Sequence, residues 1–277
     1  MVQLGPDCKS RRPSRFHSFL LMVASGRPFP SVIAGALSLS VVWVHHGSST
    51  RAILVGLVMS VATMFGFVVN DIIDYRKDAS ARVKRPIATD SLSRTTAFMF
   101  SVCLLLLVWL LSALLGKGSS VMTMTVLALI LYTPFARCMP LFKGLYVAGL
   151  CLLPLYYASA VSDVSASWRA YAVLVFFIVG RETLMDAHEM VGDRQAGMAT
   201  IAVALGRTHA RHIGIAMMIA ATVCLVWVAQ GFLGKSLAFL ANITLLSVLR
   251  WPQVEEGRRI ELSRVPMLVA ALAVASA

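Results

Sequence analysis

Two short runs hold most of the chemistry available to this chain: Asn70-Asp71-Ile72-Ile73-Asp74-Tyr75-Arg76-Lys77-Asp78 and, far downstream, Asp186-Ala187-His188-Glu189-Met190-Val191-Gly192-Asp193. Each places three carboxylates at i, i+3 and i+7, a spacing that stacks them along one side of a helix. Each also follows an apolar run long enough to enter a membrane. An ionised carboxylate costs roughly 2.5–3.5 kcal/mol at the centre of a membrane helix and less near its ends. Six of them at two helix ends (Asp71, Asp74, Asp78, Asp186, Glu189 and Asp193) repel one another unless cations sit among them. Hard oxygen donors in this arrangement suit Mg2+, which keeps part of its water shell and shares a phosphate-bearing ligand. Metals held there would draw charge onto the bridging oxygen of a diphosphate. For an allylic diphosphate, that is enough to start ionisation to an allylic cation and free diphosphate. The pair of runs therefore points to an enzyme acting on a polyanionic lipid at a membrane surface.

The rest of the chain supplies the membrane. Its 277 residues are 58% hydrophobic and only 14% charged, with a mean hydropathy of +0.78, whereas soluble domains carry nearer ~25% charged residues. Apolar segments of about 20 residues, the length that crosses a bilayer, fall at 29–46, 52–70, 95–115, 119–136, 144–161, 169–185, 210–230, 234–250 and 262–277. These limits predict an all-α polytopic membrane protein of about nine transmembrane helices, a single unit over 1–277 with a basic segment at 1–27. Almost all of the 25 Lys and Arg then fall at the N-terminus or in the loops after even-numbered spans. Arg51, Lys117, Arg169 and Lys235 are left, one to each alternate loop. The positive-inside rule puts the N-terminus and both carboxylate runs on the cytoplasmic side of a bacterial-type inner membrane. The net charge of +12 is thereby explained by topology and attraction to anionic lipid, with no nucleic-acid partner. Residues 16–25 read as an interfacial helix turning Phe16, Phe19, Leu20 and Val23 to lipid, rather than as a signal peptide. The five cysteines, Cys8, Cys103, Cys138, Cys151 and Cys224, lack CxxC spacing and are assigned to packing.

Asn70-Asp71-x-x-Asp74-x-x-x-Asp78 followed by Arg85-Pro86 resembles the first aspartate-rich motif of the UbiA-type intramembrane prenyltransferases. Asp186-x-x-Glu189-x-x-x-Asp193, with Gly192, Gly197, Thr200 and Leu205-Gly206 around and after it, resembles their second. The resemblance runs from about Arg27-Pro28 to the eighth or ninth span. It implies nine helices around a central cavity and two Mg2+ ions, one on Asp71, Asp74 and Asp78, the other on Asp186, Glu189 and Asp193. It also implies transfer of a prenyl chain from its diphosphate to a hydrophobic acceptor, commonly an aromatic ring, with Asn70 touching the diphosphate or a metal. Four positions depart from the pattern: Glu189 for the usual Asp, Asp90 where Gly is common, Arg137 for Lys in Tyr132-Thr-Pro-Phe-Ala-Arg137, and Gly144 where Asn is frequent.

Arg85, Arg137, Lys143 and Arg194 are the candidate diphosphate clamps, since guanidinium and ammonium groups match phosphate oxygens; positive-inside anchoring is their alternative role. Arg181-Glu182, one turn before Asp186, reads as a pair that either orients it or is structural. Tyr132 leads the aromatics that could face an allylic cation, and Asn70, Tyr132 and Asp193 are the residues placed closest to the chemistry. His188 lies about 100° off the carboxylate face and is expected to be a bystander. No HExxH, P-loop or GxSxG is present. Metal-assisted ionisation followed by attack of an acceptor is the leading expectation, a membrane terpene cyclase without a second substrate the alternative. A lipid-binding or transport protein that takes the cation as cargo is a third. The sequence sets neither the prenyl length, nor the acceptor, nor the oligomeric state.

Overall fold

The computed structural model describes residues 15–47, 49–80, 84–164, 167–195, 197–250 and 255–275, all helix or connection. Cys8 and the cations Lys9, Arg11, Arg12 and Arg82 lie outside them. The helices are α1 (Arg15–Ser25), α2 (Pro28–His46), α3 (Ser49–Ser80), α4 (Arg94–Leu115), α5 (Ser119–Cys138), α6 (Lys143–Ser162), α7 (Trp168–Gln195), α8 (Ile201–Leu205), α9 (Arg207–Val228), α10 (Gly231–Arg250), α11 (Glu256–Leu262) and α12 (Arg264–Ala275), with a 3-10 turn at Pro140–Phe142 joining α5 to α6. On α1, Phe16, Phe19 and Leu20 are exposed, whereas Val23, the fourth residue of the expected apolar face, is half-buried.

Seven described helices are long and apolar enough to cross a membrane: α2, α3, α4, α5, α6 with its 3-10 turn, α9 and α10. The expected count of nine is therefore not confirmed among the described residues, and the two remaining expected spans, on α7 and α12, differ from these seven in separate ways. Helix α7 has 28 residues, about 42 Å at 1.5 Å per residue, but Arg181, Glu182 and the three carboxylates interrupt its apolar run. Helix α12 has 12 residues, about 18 Å against a hydrocarbon core of about 30 Å.

Glycines let the carrier helices approach their neighbours. A Cβ on Gly35 of α2 would lie 2.4 Å from the Gly56 carbonyl oxygen of α3. A Cβ on Gly214 of α9 would lie 2.6 Å from the Gly180 carbonyl oxygen of α7, and one on Gly180 would lie 2.8 Å from that of Gly214. Between membrane helices, association relies on such close backbone contact because lipid tails are as apolar as leucine. Helices α3 and α7, which carry the two carboxylate runs, are thus each set by a glycine crossing. Gly214→Leu is expected to push α7 from α9, lower the thermal unfolding midpoint in detergent and reduce activity at least tenfold, though it touches no site residue. Thermal unfolding and activity measured on the same preparation check this.

Candidate active site

Both carboxylate runs sit on helices that continue without a break beyond their apolar stretches: α3 to Ser80 and α7 to Gln195. At 100° per residue, i and i+7 lie about 20° apart on a helix while i+3 lies about 60° to one side. The structure divides each triplet accordingly. Asp71 and Asp78 are buried, as are Asp186 and Asp193, whereas Asp74 is partly open and Glu189 is exposed.

Cations reach these carboxylates from four elements. Arg85 Nη1 donates to Asp71 Oδ1 at 3.1 Å and to Asp78 Oδ2 at 2.5 Å, so one guanidinium nitrogen bridges the aligned pair of the first run. Arg27, at the start of α2, donates to Asp71 Oδ1 at 3.1 Å, its guanidinium 4.6 Å from the centre of the Phe67 ring. Burial draws the Arg27 pKa below its ordinary value against the pull of Asp71; an arginine stays charged all the same. Arg137 Nη2, at the end of α5, donates to Asp74 Oδ1 at 2.6 Å. Lys143 Nζ, at the start of α6, donates to Asp186 Oδ1 at 2.5 Å. The α5–α6 turn therefore stands between the two runs and extends one cation to each.

Polar neighbours fix the remaining groups. Thr133 Oγ1 donates to Asn70 Oδ1 and lies 3.5 Å from Asp74 Oδ2. Arg181 and Glu182 pair with each other at 2.8 Å and are both buried, as the sequence suggested. Tyr132 stands 6.1 Å from Tyr146, centre to centre. Arg194 is exposed near the end of α7, and so is His188, which belongs to a different face of the helix, as expected. Thr133 and Arg27 are the neighbours that the motif reading missed. Thr133 follows Tyr132 directly in the quoted element, which was the available signal. Arg27 stands in the sequence as one of the N-terminal charges and at the start of the resemblance, with nothing there to tie it to Asp71.

The loop after α3 explains one departure from the motif. Leu92 N donates to the Pro86 carbonyl oxygen and Thr89 N to that of Arg85, both at 3.0 Å, while Ile87 and Leu92 are buried. This compact turn carries Arg85 back to Asp71 and Asp78. Asp90 closes the turn at φ +55°, a left-handed conformation that glycine adopts freely and Asp tolerates at a cost. Asp90→Gly is expected to be neutral or stabilising by up to about 1 kcal/mol, measured as a thermal shift. Gly144 is explained as well: a Cβ there would meet Glu182 Cβ at 3.2 Å, so a larger residue would press on α7.

Among the described residues, no group of three or more His, Cys, Asp and Glu side chains converges as a ready-made metal cage; basic side chains hold four of the six carboxylates. The donor set nevertheless fits a hard divalent cation. It is all oxygen, and Arg85 already sits as a positive charge shared by Asp71 and Asp78. Asp193 Oδ2 is buried with no hydrogen-bond partner, a state that is costly for a carboxylate and is relieved by a cation.

Known proteins resemble this chain over most of its length. The model of the UbiA prenyltransferase family matches residues 29–268. The digeranylgeranylglyceryl phosphate synthase of Thermococcus gammatolerans is 30% identical over 204 residues, which are 70% of this chain and 74% of that protein. A solved structure of a UbiA homologue from Aeropyrum pernix K1 aligns with a TM-score of 0.71 at 18% identity, covering 89% of this chain and 97% of that one. A UbiA homologue from Archaeoglobus fulgidus bound to DMAPP and Mg2+ aligns at 0.60 and 15% identity, covering 94% of this chain and 99% of that one. Those two likenesses speak for the fold, and the family match extends over both carboxylate runs. The chain is therefore an integral membrane protein of the UbiA prenyltransferase family.

Proposed function

We propose that this chain transfers the prenyl group of an isoprenyl diphosphate to the hydroxyl of a prenylated glyceryl phosphate, with its site on the cytoplasmic side of a prokaryotic membrane. The observation that carries the reading is the α5–α6 turn, which sets Arg137 on Asp74 of one run and Lys143 on Asp186 of the other. A polyanion entering between the runs meets cations already gathered there, and each can pass from a carboxylate to a phosphate oxygen. The glyceryl phosphate acceptor replaces the aromatic one expected from the motifs. It is supported by the name of the Thermococcus relative, whose product carries two prenyl groups on a glyceryl phosphate. A donor diphosphate and an acceptor phosphate together also give the basic residues two anions to bind.

In this reading Asp71, Asp74 and Asp78 would hold one Mg2+ and Asp186, Glu189 and Asp193 a second; once bound, the metals supply a Lewis acid that draws electron density onto the diphosphate. Arg85 turns from Asp71 and Asp78 to the diphosphate, joined by Arg137, Lys143 and Arg194. Asn70, its Oδ1 held by Thr133, offers its amide N–H groups to the same oxygens. The C1–O bond breaks and its electron pair leaves with the diphosphate. Tyr132 presents its ring to the allylic cation. The glyceryl hydroxyl oxygen then attacks C1, and its proton passes to a diphosphate oxygen.

The test supplies purified protein with Mg2+ and allylic diphosphates of ten, fifteen and twenty carbons. Each is run alone, with geranylgeranylglyceryl phosphate, and with an aromatic acid such as 4-hydroxybenzoate. An ether product formed only with the glyceryl phosphate is the expected result. An adduct of the aromatic acid alone would overturn the acceptor, and a cyclic hydrocarbon made without any acceptor would make the protein a terpene cyclase.

A further inference from the structure

A second concavity lies on the other side of α7. Leu184, on its wall, is two residues from Asp186 and so points about 200° away from it around the helix. The cavity measures about 300 Å3 and is walled by α7, α9, α10 and α11. Arg211, Arg250 and Arg259 line it together with Ile215, Ile219 and Leu246, and no carboxylate is among its described lining residues. Arg211 stands in the second turn of α9 and Arg250 ends α10, so the basic groups share one end. Ile219 is eight residues further along α9, about 12 Å deeper.

From this charge and apolar pattern we propose that the cavity is a lipid site separate from the carboxylates, taking the anionic phosphate headgroup of a bilayer glycerolipid. Guanidinium forks match phosphate oxygens two at a time, and three of them around one opening complement a phosphodiester or phosphomonoester. The volume is at the lower limit of small-molecule sites, about 300–1,000 Å3. It holds a headgroup and the first methylenes, while the chains run into the bilayer past Leu246, which is 48% exposed. The basic end is the end that the positive-inside pattern assigns to the cytoplasmic surface, which is headgroup depth. An occupant would tie α11 to α9 and α10. Helix α11 in turn rests on α7, where a Cβ on Gly257 would lie 3.3 Å from His188 Nε2. The lipid would thus steady the helix that carries Asp186, Glu189 and Asp193.

The full chain, delipidated in neutral detergent, is titrated with phosphatidylglycerol, phosphatidylcholine and inorganic phosphate and read by native mass spectrometry. One phosphatidylglycerol per chain is expected, bound at least tenfold more tightly than phosphatidylcholine and not displaced by millimolar phosphate. Arg211→Gln/Arg250→Gln should weaken it at least tenfold. Ile219→Trp, which fills the apolar end and keeps every arginine, should weaken it too. Both variants are taken forward on monodisperse elution, and Arg169→Gln at the opposite membrane face should bind like wild type. Equal affinity for the two lipids, or phosphatidylglycerol binding unchanged in the variants, would overturn the proposal. So would full displacement by inorganic phosphate, which would make it an anion site without a lipid, or by a prenyl diphosphate, which would make it part of the substrate path. The readout is binding, so it stands whether or not the glyceryl phosphate acceptor is correct.

Discussion

Asp71→Asn is expected to slow diphosphate release from an allylic diphosphate by about 10^3-fold, close to 4 kcal/mol of barrier, while the protein still elutes as a folded species. Asp71 is the most constrained carboxylate of the first run, with 2% of its surface exposed and both Arg27 and Arg85 at 3.1 Å from Oδ1. The amide keeps the shape and one acceptor oxygen, so packing survives. What disappears is a negative charge that two arginines and, in the proposed reaction, a metal all use. The expected kinetic signature is a fall in kcat that extra Mg2+ does not restore. A variant within fivefold of wild type would place ionisation elsewhere in the molecule.

Lys143→Met tests the other run by a different route. The Lys143 side chain is 12% exposed and that of Asp186 4%, so removing the ammonium strands a buried carboxylate. Breaking such a pair costs about 3–5 kcal/mol, and the methionine keeps most of the stem's packing. The thermal midpoint of the variant in EDTA should drop by several degrees. Mg2+ should raise it more than it raises wild type, because Asp186 then gains a divalent partner in place of the lysine. Donor KM should rise about tenfold with the loss of one phosphate ligand. Thermal unfolding with and without Mg2+, followed by steady-state kinetics, reads both effects.

The site was legible to the extent that it rests on local spacing. Two i, i+3, i+7 triplets at the ends of apolar runs mark out the carboxylates, and α3 and α7 carry them as unbroken helices. Arg85, Arg137 and Lys143, named from their charge and place in the loops, each contact a carboxylate. The unequal burial within each triplet follows from the 60° offset of the middle residue, so Asp74 and Glu189 could have been set apart by the same helical arithmetic. Arg27 could not, because its 44-residue separation from Asp71 is closed only by the packing of α2 on α3. The glycine crossings at Gly35/Gly56 and Gly180/Gly214 are likewise relations between helices, invisible along one. Seven of the nine expected spans are long and apolar enough among the described residues; at α7 the apolar run is broken by Arg181 and Glu182, whose mutual pairing makes them tolerable there. The cavity behind α7 needs four helices to exist, and no window of sequence contains it.

The central claim is that the carboxylates of α3 and α7 hold one diphosphate jointly through divalent metal. The direct measurement is calorimetric binding of a non-ionising thiolo-diphosphate analogue of the donor to wild type, Asp71→Asn and Asp186→Asn, each with Mg2+ and with EDTA. Binding that requires Mg2+ in wild type and weakens at least about thirtyfold in both variants, roughly 2 kcal/mol, is the predicted result. Equal binding in EDTA, or full binding retained by either variant, would contradict it.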